Sequence, residues 1–415
     1  MTYAMLPLKR FVSSRRPITY GIVQAGPDYP GGVPYIRPVD MSDSGGIVEP
    51  SRLLRTDPAI ALAYRRSTVE ERDLVVSIGP SFGKVMMVPP ELAGANLTQG
   101  TARVAAAEGV EPRFLYWALQ SQPARQHWEA AVGGATFKAL NLEPLSRSPI
   151  PLVPNEDQRR IADFLDVEIQ LLDRAAASKG SLQDLLRERL DAVRNLGLDE
   201  LCARHGEVTL RRVIRGIEQG VSPLCDSTPA ALGEWGVLKL SSVKRGKFYP
   251  HENKRLTGGD AFARYEVREG DLLVTRANTP GLVGDVAVAC GDVVKKLLPD
   301  LIYRLRLSDM VRADFAAEVL LGRRVRGLIE ATARGSSQSM VKLRGEDIRT
   351  WPIPNVSSTV QIEFVRRMQV EANQVQAFVE VVERQQQLIL ERRQALVTAA
   401  VTGQIDVTTA RGVDI

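Results

Sequence analysis

The stretch that decides the fold is "SPIPLVPNEDQRRIADFLD", which runs from Ser148 to Asp166. A similar stretch, "TWPIPNVSSTVQIEFVRRM", runs from Thr350 to Met368. Both contain Pro-Ile-Pro, a short polar turn, and then a glutamine that opens a long run of charged and apolar residues. Aligning the two glutamines gives an offset of 361 − 158 = 203 residues. Solenoid repeats are only about 20–50 residues long, so the sequence predicts a duplicated module instead.

The similarity extends upstream of these two stretches. The run "ERDLVVSI" at Glu71–Ile78 parallels "EGDLLVTR" at Glu269–Arg276. Near the start of the chain, "LKRFV" at Leu8 parallels "LRRVI" at Leu210. The repeat therefore covers nearly all of the 415 residues.

Each copy begins with short β-like runs separated by turn residues and followed by a helical patch, which predicts an α+β globule. After each glutamine, apolar residues recur every three or four positions, as expected of a long helix with one apolar seam. The seam positions are Ile161, Leu165, Ile169 and Leu172 in the first copy and Phe364, Met368, Ala372 and Val375 in the second. Two such helices most simply pack on each other, either as a stiffening hairpin or as a spacer between the globules. At 1.5 Å per residue, a helix of ~40 residues is roughly 60 Å long.

Composition limits the class of protein. The chain is 44% hydrophobic and 25% charged, which is typical of globular domains. A net charge of +5 is compatible with a polyanionic partner. Three widely spaced cysteines, Cys202, Cys225 and Cys290, suggest reduced thiols in the cytoplasm. No apolar run approaches the roughly 18 residues of a membrane span, so we expect a cytoplasmic protein with no membrane partner.

Motifs for catalysis are weak or absent. "GPSFGKV" at Gly79–Val85 has three residues between its glycines, where a phosphate-binding loop has four. Cys202 and His205 form a lone C-x-x-H without a second pair, which argues against a metal site. Asn-Pro-Pro-aromatic, the tetrapeptide of adenine methyltransferases, is also missing. We therefore expect a protein without catalytic or metal-binding residues.

Polar and basic residues in turns are the candidate functional residues. Arginine and lysine can pair with guanine, asparagine and glutamine can pair with adenine, and serine, threonine and lysine can hold phosphates. Only 6% of the residues are aromatic, which favours double-stranded DNA over a stacking platform for single strands. The candidate DNA-binding residues are Tyr20, Gln24, Arg37, Ser77, Lys84, Thr136, Lys138, Asn141, Lys239, Ser241, Arg276, Asn278, Thr279, Gln338, Ser339 and Lys342.

In the order and duplication of these motifs, the chain resembles the specificity subunit of type I restriction-modification systems over essentially its full length. The resemblance rests on "YGIVQAGPDYPGGVPYIRPVDM", "RDLVVSI" with "GDLLVTR", the two Pro-Ile-Pro stretches, and "LLRERLDAV" with "LERRQALVTAAVTGQID". It implies two target recognition domains, each reading one half of a bipartite DNA site. Two long antiparallel helices would form a coiled-coil spacer that sets the gap between the half-sites.

The resemblance also implies partners. Two methyltransferase subunits would dock around the spacer, and a translocating restriction subunit can join them. S-adenosylmethionine, ATP and magnesium would then belong to the partners, and this chain would bind no cofactor.

The predicted boundaries follow from the repeat. They are 1–154 for the first recognition domain, 155–200 for the first spacer helix, 201–355 for the second recognition domain, 356–405 for the second spacer helix and 406–415 for a tail. Two alternatives remain open from the residues alone. One is a two-headed scaffold that binds proteins, and the other is a self-sufficient DNA-modifying enzyme.

Overall fold

The computed structural model describes residues 3–133, 139–333 and 341–407. The chain divides into two compact units. Unit 1 comprises Met1–Gly180 and Glu383–Ile415, and unit 2 comprises Ser181–Val382. Each unit thus contains one copy of the repeated module together with part of each predicted long helix.

The strands are short, as the turn-rich sequence predicts. In unit 1 they are β1 (Met5–Pro7), β2 (Thr19–Tyr20), β3 (Val33–Ile36), β4 (Arg55–Thr56), β5 (Leu74–Ser77), β6 (Val85–Met87), β7 (Asn96–Leu97), β8 (Thr101–Val104) and β9 (Pro149–Pro151). In unit 2 they are β10 (Glu207–Thr209), β11 (Ile214–Gln219), β12 (Gly236–Leu238), β13 (Val243–Lys244), β14 (Lys247–Phe248), β15 (Asn253–Arg255), β16 (Leu272–Thr275), β17 (Ala277–Asn278), β18 (Val286–Val288), β19 (Lys296–Leu297), β20 (Ile302–Leu307), β21 (Val341–Lys342) and β22 (Pro352–Pro354).

The helices include two that are much longer than the rest. They are α1 (Pro58–Ala63), α2 (Pro112–Gln120), α3 (Gln122–Val132), α4 (Leu142–Ser146), α5 (Asn155–His205), α6 (Ala313–Leu321), α7 (Arg323–Ala333), α8 (Gly345–Thr350) and α9 (Ser358–Thr402). The predicted mixture of helices and sheets is therefore found, as is the long helix after the first Pro-Ile-Pro. Helix α5 continues five residues beyond the predicted end at 200.

The two units repeat the same strand order, so the duplication seen in the sequence is also structural. A four-stranded antiparallel sheet has the order β2-β8-β5-β6 in unit 1 and β11-β20-β16-β18 in unit 2. A three-stranded sheet has the order β4-β3-β7 in unit 1 and β15-β12-β19 in unit 2. In both of these sheets the central strand has one antiparallel and one parallel neighbour.

The Pro-Ile-Pro stretches form the edges of small sheets. Strand β9 pairs antiparallel with β1, and β22 pairs in the same way with β10. Each stretch therefore ties the end of a module to its beginning, just before the long helix starts. Proline suits such two-stranded edges because it lacks the N–H that an interior strand must donate.

The glutamine that follows each Pro-Ile-Pro is buried and clamps two neighbouring segments. Gln158 accepts a hydrogen bond from the N–H of Glu111, just before α2 (3.0 Å), and donates to the carbonyl oxygen five residues before it (2.8 Å). Gln361 repeats both contacts, accepting from the N–H of Arg312 before α6 (2.9 Å) and donating five residues back (3.1 Å). The shared glutamine thus joins the start of each long helix to the helical patch of its own module.

Replacing Gln361 with methionine is expected to lower the free energy of unfolding of unit 2 by about 1–3 kcal/mol, because backbone groups would be left buried without a partner. Gln387→Met is the matched control, since Gln387 is exposed and bonds only to Glu391 on the same helix among the contacts described. The control should change stability by less than about 0.5 kcal/mol. Urea unfolding of the full chain measures both. Equal midpoints for the two variants would show that the clamp contributes nothing.

Within each unit, α5 and α9 lie against each other in opposite directions. In unit 1, Arg393 pairs with Asp173 (3.4 Å), and Gln386 donates to the carbonyl oxygen of Ala176 (3.5 Å). In unit 2, Arg189 lies 3.8 Å from Glu371. In unit 1, residue numbers rise along α5 from 173 to 176 while those of their partners fall along α9 from 393 to 386. In unit 2, Gly197 lies beside the ring of Phe364, so a rise from 189 to 197 along α5 accompanies a fall from 371 to 364 along α9. The apolar seams contribute to the cores of both units.

Candidate nucleic-acid interface

In unit 2, a short ribbon brings together candidate residues that are distant in sequence. Strand β17 pairs with β21, placing Lys342 opposite Ala277. Arg276 and Asn278 flank that position, so three of the candidates meet at one ribbon. Lys342 is exposed, whereas Arg276 and Asn278 are partly exposed.

The guanidinium of Arg276 is held in place. Its Nε donates to the hydroxyl of Tyr303 (3.1 Å), and Nη1 donates to the carbonyl oxygen of Asp300 (3.4 Å). The guanidinium carbon also lies 5.7 Å from the centre of the Tyr303 ring. These contacts leave the remaining donors of the guanidinium available in a defined direction, which suits bidentate recognition.

The turn after the ribbon is locally organised. The side-chain oxygen of Asn278 accepts a hydrogen bond from the N–H of Thr279 (2.9 Å). This bond leaves the amide NH₂ of Asn278 as a donor, and Thr279 is exposed beside it. Both residues therefore present polar groups next to Arg276.

Lys239 and Ser241 share a carboxylate partner. The hydroxyl of Ser241 donates to Glu252 (2.7 Å), and the ammonium of Lys239 lies 3.8 Å from the same carboxylate. The hydrogen bond from Ser241, assisted by the charge of Lys239, lowers the pKa of Glu252. The hydroxyl of Ser241 thus holds the carboxylate of Glu252 in place. The ion pair of Lys239 with Glu252 is longer, so the charge of Lys239 is only partly neutralised.

In unit 1, two of the candidate cations are engaged inside the fold. Asp40 binds Arg37 through two side-chain hydrogen bonds (2.9 and 2.8 Å), which raises the pKa of Arg37. Lys84 donates to the carbonyl oxygen of Met41 (2.7 Å) and lies 3.6 Å from Asp43. These cations stabilise neighbouring loops and are less available to a phosphate than the sequence suggests.

Ser77 is fully buried, which does not fit its prediction as a DNA contact. Its hydroxyl donates to the carbonyl oxygen of Ser81 (2.8 Å) and accepts from the N–H of Lys84 (2.9 Å). Thr275 makes the same two contacts in unit 2, to Leu282 and Asp285. The shared hydroxyl closes a turn in each module, and its burial makes Ser77 inaccessible to DNA.

Other candidates in unit 1 are accessible. Tyr20, Gln24 and Asn141 are exposed. The remaining candidates, Thr136, Lys138, Gln338 and Ser339, lie outside the described residues.

Sequence reasoning missed a charge reversal at the shared turn. The residue whose N–H bonds the hydroxyl is Lys84 in unit 1 and Asp285 in unit 2. Burial raises the pKa of Asp285. Aligning "FGKV" with "VGDV" would have shown this difference, which gives the two modules different electrostatics at one structural position.

Within residues 3–133, 139–333 and 341–407, no cluster of three or more histidine, cysteine, aspartate or glutamate residues is arranged to hold a metal ion. In the same residues, no helix has both the length and the apolar character that a membrane crossing requires.

Residues 26–176 match the family model of the type I restriction modification DNA specificity domain. The specificity subunit of type I restriction enzyme EcoBI from Escherichia coli is 29% identical over 205 residues, which are 49% of this chain and 41% of that protein. The EcoEI specificity subunit, also from Escherichia coli, is 30% identical over 156 residues, which are 37% of this chain and 26% of that protein. The matched region thus spans less than half the length of either relative.

A solved structure from a study of complex assembly and conformational transition in a type I R-M system has a similar fold. Its TM-score is 0.63 at 17% identity, and the match covers 97% of this chain and 98% of that chain. The resemblance to type I specificity subunits, first indicated by the motifs, is confirmed by the family model and the curated relatives.

Proposed function

We propose that this chain is a non-catalytic DNA-recognition subunit, because residues 26–176 match a type I DNA specificity domain and unit 2 repeats the strand order of unit 1. Each module would read one half of a bipartite site in double-stranded DNA. Methylation and cleavage would belong to partner subunits, which would supply S-adenosylmethionine, ATP and magnesium. The observation that carries the proposal is the duplicated module whose first copy has this family match.

In the proposed complex, α5 and α9 form the antiparallel spacer and dock the methyltransferase subunits. The contacts between α5 and α9 within each unit support the spacer. Docking is supported by large apolar side chains that remain exposed on α9, including Val370, Phe378 and Val381. Exposed apolar surface of this kind is typical of a protein-binding site.

In unit 2, the proposed DNA surface consists of the ribbon with Arg276, Asn278 and Lys342, together with Thr279 and Lys239. In unit 1, its described part consists of Tyr20, Gln24 and Asn141. Arginine and lysine at these points would neutralise phosphates, so DNA affinity should fall steeply with salt. A protein-binding scaffold, which is the alternative class of protein, would show no salt-dependent binding to DNA.

Arg276→Ala is expected to weaken DNA binding by the assembled complex by about 5- to 150-fold, the effect of losing 1–3 kcal/mol of contact energy. Arg37→Ala is the matched control, because the guanidinium of Arg37 is already hydrogen-bonded to Asp40. Loss of the Arg37 side chain should therefore affect DNA affinity much less. Titrations at several salt concentrations, with the methyltransferase subunit bound, measure both affinity and salt dependence. Wild-type affinity in Arg276→Ala would remove that residue from the surface. A flat salt dependence in the wild-type complex would contradict DNA recognition altogether.

A further inference from the structure

Unit 2 contains an open cavity of about 540 Å³ that the function described so far does not use. One side is the loop Ser222–Cys225, another is β12 with the residues that follow it, and the third is the turn Pro299–Leu301. Most of the lining side chains are apolar. They include Pro223, Leu224, Val237, Leu240, Pro299 and Leu301.

Two lysines line this mostly apolar cavity. Val237 lies opposite Lys254 in the β12–β15 pair, so their side chains share one face of the sheet. Lys239 lies two residues beyond Val237 and therefore leans toward the same face. Both lysines line the cavity. The combination suits a ligand with an apolar body and negative charge beside it.

The cavity lies next to the proposed DNA surface. Asp300, in the turn that closes the cavity, accepts a hydrogen bond from the hydroxyl of Ser222 in the opposite loop. The carbonyl oxygen of Asp300 also accepts from Arg276, and the N–H of Arg276 donates to the carbonyl oxygen of Leu301 (2.8 Å). One short turn thus separates the cavity from the ribbon that carries Arg276.

An exposed leucine stands in the same loop. Leu224 contributes to the cavity wall, yet its side chain is 98% exposed. Proteins that kink DNA insert apolar side chains, leucine among them, between base steps and partly unstack the bases.

The corresponding turn of unit 1 has a different residue at one position of the cavity wall. Thr101 pairs with Ser77 in unit 1 as Ile302 pairs with Thr275 in unit 2. The preceding residues, Gly100 and Leu301, therefore correspond, and Pro38 lies beside Gly100. A Cβ at that glycine would lie 2.8 Å from the Cγ of Pro38. The two modules therefore differ at this position, where unit 2 has a leucine that lines the cavity and unit 1 has a glycine.

We propose that this cavity receives one base of the bound duplex, displaced from the stack by Leu224, while Lys239 and Lys254 hold the adjoining phosphates. The inference rests on the proposed DNA-recognition function. A phosphate alone would leave the apolar walls unused, and an uncharged apolar ligand would leave the lysines unused. Displacing a base from the stack costs unstacking free energy, which contacts with the apolar walls and lysines would offset.

Cys225 provides a direct probe because it lines the cavity. The full chain, assembled with its methyltransferase subunit, would be treated with iodoacetamide with and without a duplex carrying its bipartite site. Mass spectrometry then follows each cysteine separately. We expect bound duplex to abolish most alkylation of Cys225, with no change at Cys290, which is exposed and serves as the internal reference.

A series of duplexes, each lacking one base within the half-site read by unit 2, tests whether a base fills the cavity. Removing the inserted base should restore alkylation of Cys225 while the duplex stays bound. Protection that no missing base relieves would mean that DNA merely covers the cavity, and this would overturn the proposal. Alkylation of Cys225 at the DNA-free rate in a fully bound complex would also overturn it, although DNA recognition would stand. Absence of any salt-dependent DNA binding would instead overturn the proposed function.

A pair of leucine variants gives an independent measurement. Leu224→Ala is expected to weaken binding of the complete site by about 5- to 150-fold, equivalent to about 1–3 kcal/mol, because the leucine would no longer wedge between the bases. Leu232→Ala is the matched control, because Leu232 is 88% exposed but does not line the cavity. Equal affinity of the two variants for the site would contradict the role of Leu224.

Discussion

Deleting seven residues from each long helix is expected to shorten the preferred gap between the DNA half-sites by about three base pairs. Seven residues of helix span about 10.5 Å, and B-DNA rises 3.4 Å per base pair. Removing 179–185 from α5 and 379–385 from α9 keeps the apolar seams in phase, because such seams repeat every seven residues. These deletions lie between the pairs Asp173–Arg393 and Arg189–Glu371, which would be retained.

The effect on the original site should be large. With the gap mismatched, only one half-site can be engaged at a time, which should cost on the order of 10²–10³-fold in affinity. Duplexes in which only the gap length varies measure the preference directly. Exchanging the same segments for another seven-residue repeat of equal length is the control, and it should keep the original gap. An unchanged gap preference after deletion would contradict the spacer role of the helices.

Trp351→Ala is expected to lower the free energy of unfolding of unit 2 by about 3–5 kcal/mol, since it empties a large volume in a buried position. Trp351 is 1% exposed and packs in the core of its unit. Urea unfolding gives the loss. A loss below about 1 kcal/mol would mean that the site collapses around the smaller side chain or that the tryptophan is not packed as described.

The two modules place their buried tryptophan at different positions, which allows a second test by exchanging large and small side chains in unit 1. In unit 1 the tryptophan is Trp128 on α3, and its Nε1 donates to Ser148 (2.7 Å) at the position equivalent to Trp351. Trp128 is the seventh residue of α3, and its equivalent is Ile329, the seventh residue of α7, which is also fully buried. Each module therefore holds one large side chain across this pair of positions.

Trp128→Ile and Ser148→Trp should each destabilise unit 1, the first by leaving a cavity and the second by overpacking. Together they should recover part of the loss, because neighbouring sites that share a volume are not additive. A double-mutant cycle of unfolding free energies measures this coupling. Strict additivity would show that the two positions do not share one packing volume.

The architecture could be predicted from the sequence largely because the sequence contains two copies of one module. Matching Pro-Ile-Pro stretches and glutamines mark equivalent points, and helical periodicity after each glutamine is a strong local signal. Gln158 and Gln361 were identified as landmarks, but their function as clamps was not. That role depends on backbone groups far away in sequence, which spacing alone cannot place.

The site was harder to predict for a physical reason. Residue type shows what a side chain can bind, but the fold decides which partner it has already found. Arg37 is already hydrogen-bonded to Asp40, and Ser77 is buried in a turn. Conversely, strand pairing brings Lys342 beside Ala277, next to Arg276, although 66 residues separate Arg276 from Lys342. The cavity near Leu224 is built from three separate segments and has no local sequence signature.

We propose above all that this chain determines the DNA sequence specificity of a methyltransferase complex. The most direct test is to express it together with a partner methyltransferase subunit and to map methylated bases across the genomic DNA of the host. We predict methylation at one bipartite motif, with two fixed half-sites and a constant gap. If the complex assembles and no new methylated motif appears, the claim is contradicted and the protein-binding scaffold becomes the better account.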